Sequence, residues 1–192
     1  VELDIATIGG KPYAVVAAYN DDGIDIIDIS DPTNPTSVGR ATHDSDYKEL
    51  VNPYDVAIVT IGGSTYAVVT AYTDDGIQII DISDPTSPSA TTYLGDSGGD
   101  YRCLAASHRC LDGPVDVEIA TIGGSTYAVV AGSLDDGIEI IDISTPASPS
   151  SVGRLTDRDD PTRELDGANG VAITTIGSST YAVVTGTNDD GI

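Results

Sequence analysis

The sequence predicts an all-β chain of tandem four-stranded antiparallel sheets, arranged as β-propeller-like blades. Three observations predict it. Thr-Ile-Gly recurs at Thr7, Thr60, Thr121 and Thr175, at intervals of 53, 61 and 54 residues. Asp-Asp-Gly follows each copy at the same distance of 14 residues, at Asp21, Asp74, Asp135 and Asp189. Apolar residues alternate with period 2, and no segment carries a 3.6-residue period with caps. A repeat of this length is the mark of a modular architecture, and four short strands within it make one propeller blade. An open linear or superhelical array of the same sheets is the alternative.

Each element has its own reason, seen best in the third copy. Val115, Val117 and Ile119 alternate with Asp116, Glu118 and Ala120, the pattern of a half-buried first strand. Ile122 to Ser125 is turn chemistry, because paired glycines supply positive φ. Thr126 to Ala131 is β-branched, aromatic and apolar, as in a strand covered on both faces. Leu134 to Gly137 is a second turn, and Ile138 to Ile143 a third strand. Pro146 and Pro149 stop ladder pairing, since proline has no N–H. Ser151 to Thr156 is a more polar, outer fourth strand. The units expected are 1–53, 54–114 with a cysteine-containing insert at 91–114, 115–170, and a partial fourth at 171–192.

Composition narrows the function classes. Eight Lys and Arg face 31 Asp and Glu, a net charge of −23, which repels phosphate backbones and excludes a nucleic-acid surface. Twenty-six of the acids are Asp, a turn former. A hydrophobic content of 40% separates the chain from acidic disordered tails. No apolar run approaches the roughly 18 residues of a membrane span. The chain opens on Val1 with no signal-peptide pattern, which predicts a mature or partial product.

The segment from Gly23 to Pro32 (Gly-Ile-Asp-Ile-Ile-Asp-Ile-Ser-Asp-Pro), with Pro35 after it, resembles the core of the LVIVD-repeat family. The matching residues from Gly76 to Pro88 and from Gly137 to Pro149 resemble it too. The resemblance implies propeller-like β repeats in secreted or surface-anchored microbial proteins with no general enzymatic activity. The long acidic connections between units depart from the family pattern.

All variation in length falls in those connections, at Arg40 to Tyr54, Thr91 to Pro114 and Arg154 to Asn169. Insertions confined to one connection lie on one face, so they read either as recognition loops or as spacers whose Leu50, Leu111 and Leu165 plug the gaps between blades. Cys103 and Cys110 are the only cysteines and read as a disulfide in an oxidising compartment. A zinc site from Cys103, His108, Cys110 and a distant His43 is the weaker alternative. The Asp-Asp-Gly turns need only be turn formers. The alternating carboxylates of Asp44 and Asp46, and of Asp157, Asp159 and Asp160, are the better Ca²⁺ candidates.

Asp28, Asp81 and Asp142 stand within an apolar strand, and each should accept backbone amides of the following turn rather than catalyse. Tyr13, Tyr66, Tyr127 and Tyr181 recur in register as a packing element, or less favourably as a carbohydrate-stacking platform. No nucleophile elbow or P-loop is present, and Ser107-His108 is the only Ser/His neighbour pair. O-linked sugar on Thr33 to Thr36 and Thr86 to Thr91 is a further expectation. The function expected is an extracellular scaffold that associates with itself or with further repeats in a surface layer, matrix or filament. A ligand-binding propeller domain for sugar or protein is the runner-up, and a secreted hydrolase a distant third.

Overall fold

The computed structural model describes residues 2–44, 46–47, 50–95, 111–157, 160 and 162–188. Strands β1 (Leu3–Ile8), β2 (Lys11–Ala18), β3 (Gly23–Asp28) and β4 (Thr36–Thr42) form the first sheet. The second holds β5 (Pro53–Ile61), β6 (Ser64–Ala71), β7 (Gly76–Asp81) and β8 (Ser89–Gly95). The third holds β9 (Pro114–Ile122), β10 (Ser125–Gly132), β11 (Gly137–Asp142) and β12 (Ser150–Thr156). β13 (Ala168–Ile176) and β14 (Ser179–Gly186) pair as a fourth, two-stranded sheet. Each sheet is an antiparallel meander in chain order, as the repeat predicts. A single 3₁₀ turn, Tyr19–Asp21, interrupts the all-β pattern. Among the described residues no helix is long and apolar enough to cross a membrane.

The first hairpin of each sheet is tighter than the sequence reading has it. Ile122 and Ser125 are ladder partners, and the turn is Gly123-Gly124 alone. Their φ values of 63° and 91° are those of a two-residue turn that L side chains resist. The second hairpin turns on the second Asp of each Asp-Asp pair: Asp22, Asp75 and Asp136 lie at φ 51°, 53° and 55°. Asp tolerates this left-handed region because its short polar side chain bonds nearby backbone. The glycine after it is required by a close approach. A Cβ on Gly23 or Gly137 would collide with the carbonyl of Ala41 or Leu155.

The sheets stack face to face, and the core lies between them. Val15, Ala17, Ile24 and Ile26 of the first sheet pack on Val56, Val69, Ile80 and Ile82 of the second, with Leu50 from the connection. Val68, Ile77 and Ile79 then pack on Val117, Val130, Ile141 and Ile143 of the third, with Leu111. Val129, Ala131 and Ile138 meet Val171 of the fourth, flanked by Ile173 and Val184. A fully buried Ile contributes about 1.5–3 kcal/mol, so most of each unit's stability resides in contacts with its neighbours. Leu50 and Leu111 are buried to within 1% and fill the junctions, the spacer role allowed for them. Sheets one and four each keep an uncovered face, so the stack is open.

Asp28, Asp81 and Asp142 differ from the buried carboxylates expected. Each is the last residue of its strand and half-buried. Each does accept a backbone amide two residues on, from Ser30, Ser83 and Ser144, at 2.9 Å. The ladder ends here, so the side chain caps the turn at the surface. The bonds from Ser30 and Ser144 hold the Asp28 and Asp142 carboxyls below the usual range.

Candidate functional site

The connections between sheets are tied down by acidic side chains. In each one, two successive amides are shared between neighbouring units. Val51 N–H donates to Asp74 of the second sheet (2.7 Å), while Asn52 N–H donates to Asp22 of the first (2.9 Å). One unit later, Asp112 N–H donates to Asp135 (3.0 Å) and Gly113 N–H to Asp75 (3.0 Å). Gly167 N–H continues the series to Asp136 (3.2 Å). The first Asp of each pair thus holds the entering connection and the second holds the leaving one. Burial pushes the Asp74 carboxyl up.

The first strands of the four sheets lie side by side and carry a second set of acids. Asp4 Oδ2 accepts Ile58 N–H across the first junction (2.8 Å). Asp55 Oδ2 accepts Val117 N–H (2.8 Å), and Asp116 Oδ2 accepts Val171 N–H (2.6 Å). Glu2, Asp55 and Asp116 occupy one repeat position, five residues before the repeated Thr, and the fourth copy has Gly170 there. Oxygens of these three carboxylates lie within 4.8 Å of one another. With Asp4 and Glu118 they line a cavity of about 210 Å³. Burial, reinforced by a hydrogen bond with Asp116, pushes Asp55 up to about 7. Partial burial and the charges of Asp116, Asp4 and Glu2 push Glu118 up as well.

Glu2 also opens onto a wider hollow of about 410 Å³, lined by Tyr19, Tyr54, Tyr72, Val115, Ser133 and Asn169. Each of the four sheets or its flanking turn supplies a residue, so this is the mouth of the axis around which the units stack. Tyr54 meets Tyr19 edge to face at 5.5 Å and leans on Tyr72 at 5.7 Å. The three rings are half-buried, with apolar faces and phenolic tips both available.

The structure scatters the residues singled out from sequence. Tyr13, Tyr66 and Tyr127 lie opposite Asp28, Asp81 and Asp142 in register, toward the far end of the strands from the mouth. Tyr13 and Tyr66 pack into the junction cores, while Tyr181 is 49% exposed. Asp44 Oδ1 accepts the amides of Asp46 and Tyr47 (2.8 and 3.1 Å). Asp160 Oδ1 accepts the amide and hydroxyl of Thr162 (3.1 and 2.7 Å). Those oxygens serve their own turns. Asp157 N–H donates to the Asp136 carbonyl (2.8 Å). Cys103, Cys110, His108 and Asp159 lie outside the described residues.

The site the sequence reading missed is the axial one. Its signal was present: Glu2, Asp55 and Asp116 share one repeat position. Tyr19 and Tyr72 share another, 12 residues after the repeated Thr, and Tyr54 precedes Asp55. Only the stacking of sheets shows that these positions converge.

The LVIVD repeat model matches residues 4–42, 62–93 and 121–157. A comparison with curated protein sequences gives no match. Among solved structures, the fold resembles a protein from Lactobacillus plantarum (TM-score 0.62, 16% identity, 90% of this chain and 47% of that one). It also resembles an α-L-arabinofuranosidase from Lactobacillus brevis (TM-score 0.58, 14% identity, 94% and 61%). A third is a β-1,3-galactosidase with galactodeoxynojirimycin (TM-score 0.60, 12% identity, 96% and 68%). The chain spans about half the length of the first of these and under two thirds of the second. At such identities the likeness is one of propeller-like fold.

Proposed function

This chain belongs to the LVIVD repeat family, and from that premise we propose that it is a propeller-type module that binds a short, uncharged saccharide at its axial mouth. The carrying observation is the hollow of about 410 Å³ in which Tyr19, Tyr54 and Tyr72 face Glu2, Ser133 and Asn169. Ligand pockets run from about 300 to 1,000 Å³, with aromatic walls and a few polar groups that fix orientation. Tyrosine rings offer faces to the C–H side of a sugar, and the carboxylate, hydroxyl and amide take its hydroxyls. The net charge of −23 disfavours anionic ligands. That two structures of similar fold are glycosidases, one holding galactodeoxynojirimycin, makes galactose- and arabinose-based oligosaccharides the first to test.

Binding is favoured over hydrolysis by the spacing of the acids. Inverting glycosidases hold their two carboxyl groups about 6.5–9.5 Å apart to admit a water, and retaining ones about 5–5.5 Å. Here the oxygens lie within 4.8 Å, and Asp55 and Asp116 are engaged by backbone amides.

The chain has ten Tyr and no Trp, so tyrosine fluorescence reports on the mouth directly. The expected result is a saturable change with one of these oligosaccharides that Tyr54→Ala abolishes. Saturable binding untouched by Tyr54→Ala, or none across the set, overturns the reading.

A second reading, an extracellular scaffold that associates through its repeats, is favoured by the uncovered faces of the first and fourth sheets. Leu3 and Ile5 on one, and Ile176 and Val183 on the other, are more than half exposed.

A further inference from the structure

Every internal junction joins two kinds of face. The receiving face carries Val56, Ile58, Val69 and Ile80 in the second sheet, and Val117, Ile119, Val130 and Ile141 in the third. The delivering face carries Ile8, Tyr13 and Val15 in the first sheet, with Ile24 and Ile26 beside them. Both faces also occur uncovered, at opposite ends of the stack. The receiving positions of the first sheet are Leu3, Ile5, Val16 and Ile27. Val16 and Ile27 line an open groove of about 450 Å³ with Asp21 and Arg40. The delivering positions of the fourth sheet are Ile176, Tyr181 and Val183, exposed by 66%, 49% and 51%. Their counterparts in the first sheet, Ile8, Tyr13 and Val15, are exposed by 7%, 7% and 0%.

A polar feature marks the same place. Asp74 and Asp135 each accept a connection amide where one unit enters the next. Asp21 holds the equivalent position on the first sheet, is exposed, and lies on the rim of the groove. The first sheet therefore keeps both parts of a junction, the apolar floor and the carboxylate that meets an arriving backbone.

We propose that the receiving face of the first sheet docks the delivering face of the fourth sheet of a second copy, head to tail. The contact is heterologous, since two different patches of one molecule meet, and it repeats from copy to copy. It continues the packing of the three internal junctions with the same residue types at the same positions. The charge of −23 on each copy opposes approach, and salt screens that repulsion while leaving the apolar contact intact. The proposal deepens the scaffold reading and does not depend on the saccharide reading. Ile5 and Val183 lie outside the mouth, so loss of association and loss of saccharide binding are separate readouts.

The test is the mass in solution by sedimentation equilibrium over a wide range of concentration, at low and high salt. The expected result is growth beyond the 19.7 kDa of one chain, stronger at high salt. Ile5→Glu and Val183→Glu each return the single-chain mass. An equimolar mixture of the two variants forms a one-to-one dimer, because each retains the face that the other lacks. Ile5→Thr and Val183→Thr, smaller changes at the same positions, replace any variant whose melting temperature falls. Wild-type protein that stays at one chain under every condition overturns the proposal. So do single variants that still assemble, or a mixture that does not pair.

Discussion

Asp22 and Asn52, thirty residues apart, both hold left-handed backbone, at φ 51° and 54°, and are joined by a hydrogen bond of 2.9 Å from the Asn52 amide to the Asp22 carboxylate. The turn of one unit and the connection to the next are locked by one contact between two unusual conformations. Asp75 with Gly113 and Asp136 with Gly167 repeat it, at φ 53° with 61° and 55° with 64°. The Asp-Asp-Gly repeat, read from sequence as a hairpin turn, is also a joint between units.

Asp75→Ala should therefore cost more than a surface substitution. It removes a hydrogen bond to a charged group, worth about 1.5–3 kcal/mol, and sets an alanine in the left-handed region at about 1–2 kcal/mol. Asp75→Asn keeps the acceptor and the tolerance for that region, and should lose about 1 kcal/mol or less. Urea denaturation of the two variants checks the order, and equal losses would contradict the joint.

Gly39 and Gly153 occupy the same repeat position, opposite Ile26 and Ile140, in different surroundings. A Cβ on Gly39 would collide with the Pro85 carbonyl of the second sheet, whereas one on Gly153 meets only Ile140 atoms at 3.7 Å and beyond. Gly39→Ala should destabilise by about 1–3 kcal/mol through overpacking, and Gly153→Ala should stay within about 0.5 kcal/mol. Thermal melts of the pair read the difference.

Leu111 combines a left-handed φ of 58° with near-complete burial in the second junction. Leu111→Ala opens a cavity and leaves the backbone strain in place, a loss of about 2–5 kcal/mol. Leu155, 41% exposed on β12, is the control and should lose less than about 1 kcal/mol on the same change. Chemical denaturation of both variants gives the comparison.

The pH dependence follows from Asp55. Its folded pKa, raised to about 7 from an ordinary 3.8, means that the native state retains a proton which the unfolded chain has released. Stability therefore falls as pH rises through that window, and the penalty is complete above it. Asp74 and Glu139, also raised by burial, slope the same way. Asp28, Asp31, Asp84, Asp142 and Asp160 are lowered by bonds to their own turns, so their contribution is lost only as pH falls below the ordinary carboxylate range. Asp116→Asn replaces the neighbouring charge with an amide donor, which lowers Asp55 and should flatten the profile between about pH 4 and pH 7. Melting temperatures of wild type and variant across that range decide it, and parallel profiles would remove Asp55 from the account.

What was legible in the sequence is what depends on near neighbours. Paired glycines, prolines after Ile29 and Ile82, and the alternation at Val115 to Ile119 act within a few residues, and the strands they predict are present. The Asp-Asp pairs were legible as turns but not as joints, because their partners Asn52 and Gly113 lie 30 and 38 residues away. The axial mouth was illegible for the same reason. Tyr19, Tyr54 and Tyr72 come from two units, and only stacking brings them together. Asp28 shows the converse: an apolar run read as a buried strand ends one residue earlier than its hydropathy suggests.

The sharing of each connection between two units governs how the molecule comes apart. Releasing one unit breaks bonds held by both neighbours, so an interior unit opens only at the cost of two junctions and an end unit at the cost of one. Chains of this kind behave as nearest-neighbour lattices in which opening begins at the ends. Amide hydrogen exchange should accordingly be slowest along β6 and β7, whose sheet is clamped on both faces, and fastest along β14, with β10 between them. A gradient of that kind would make the chain a zipper that frays from its termini.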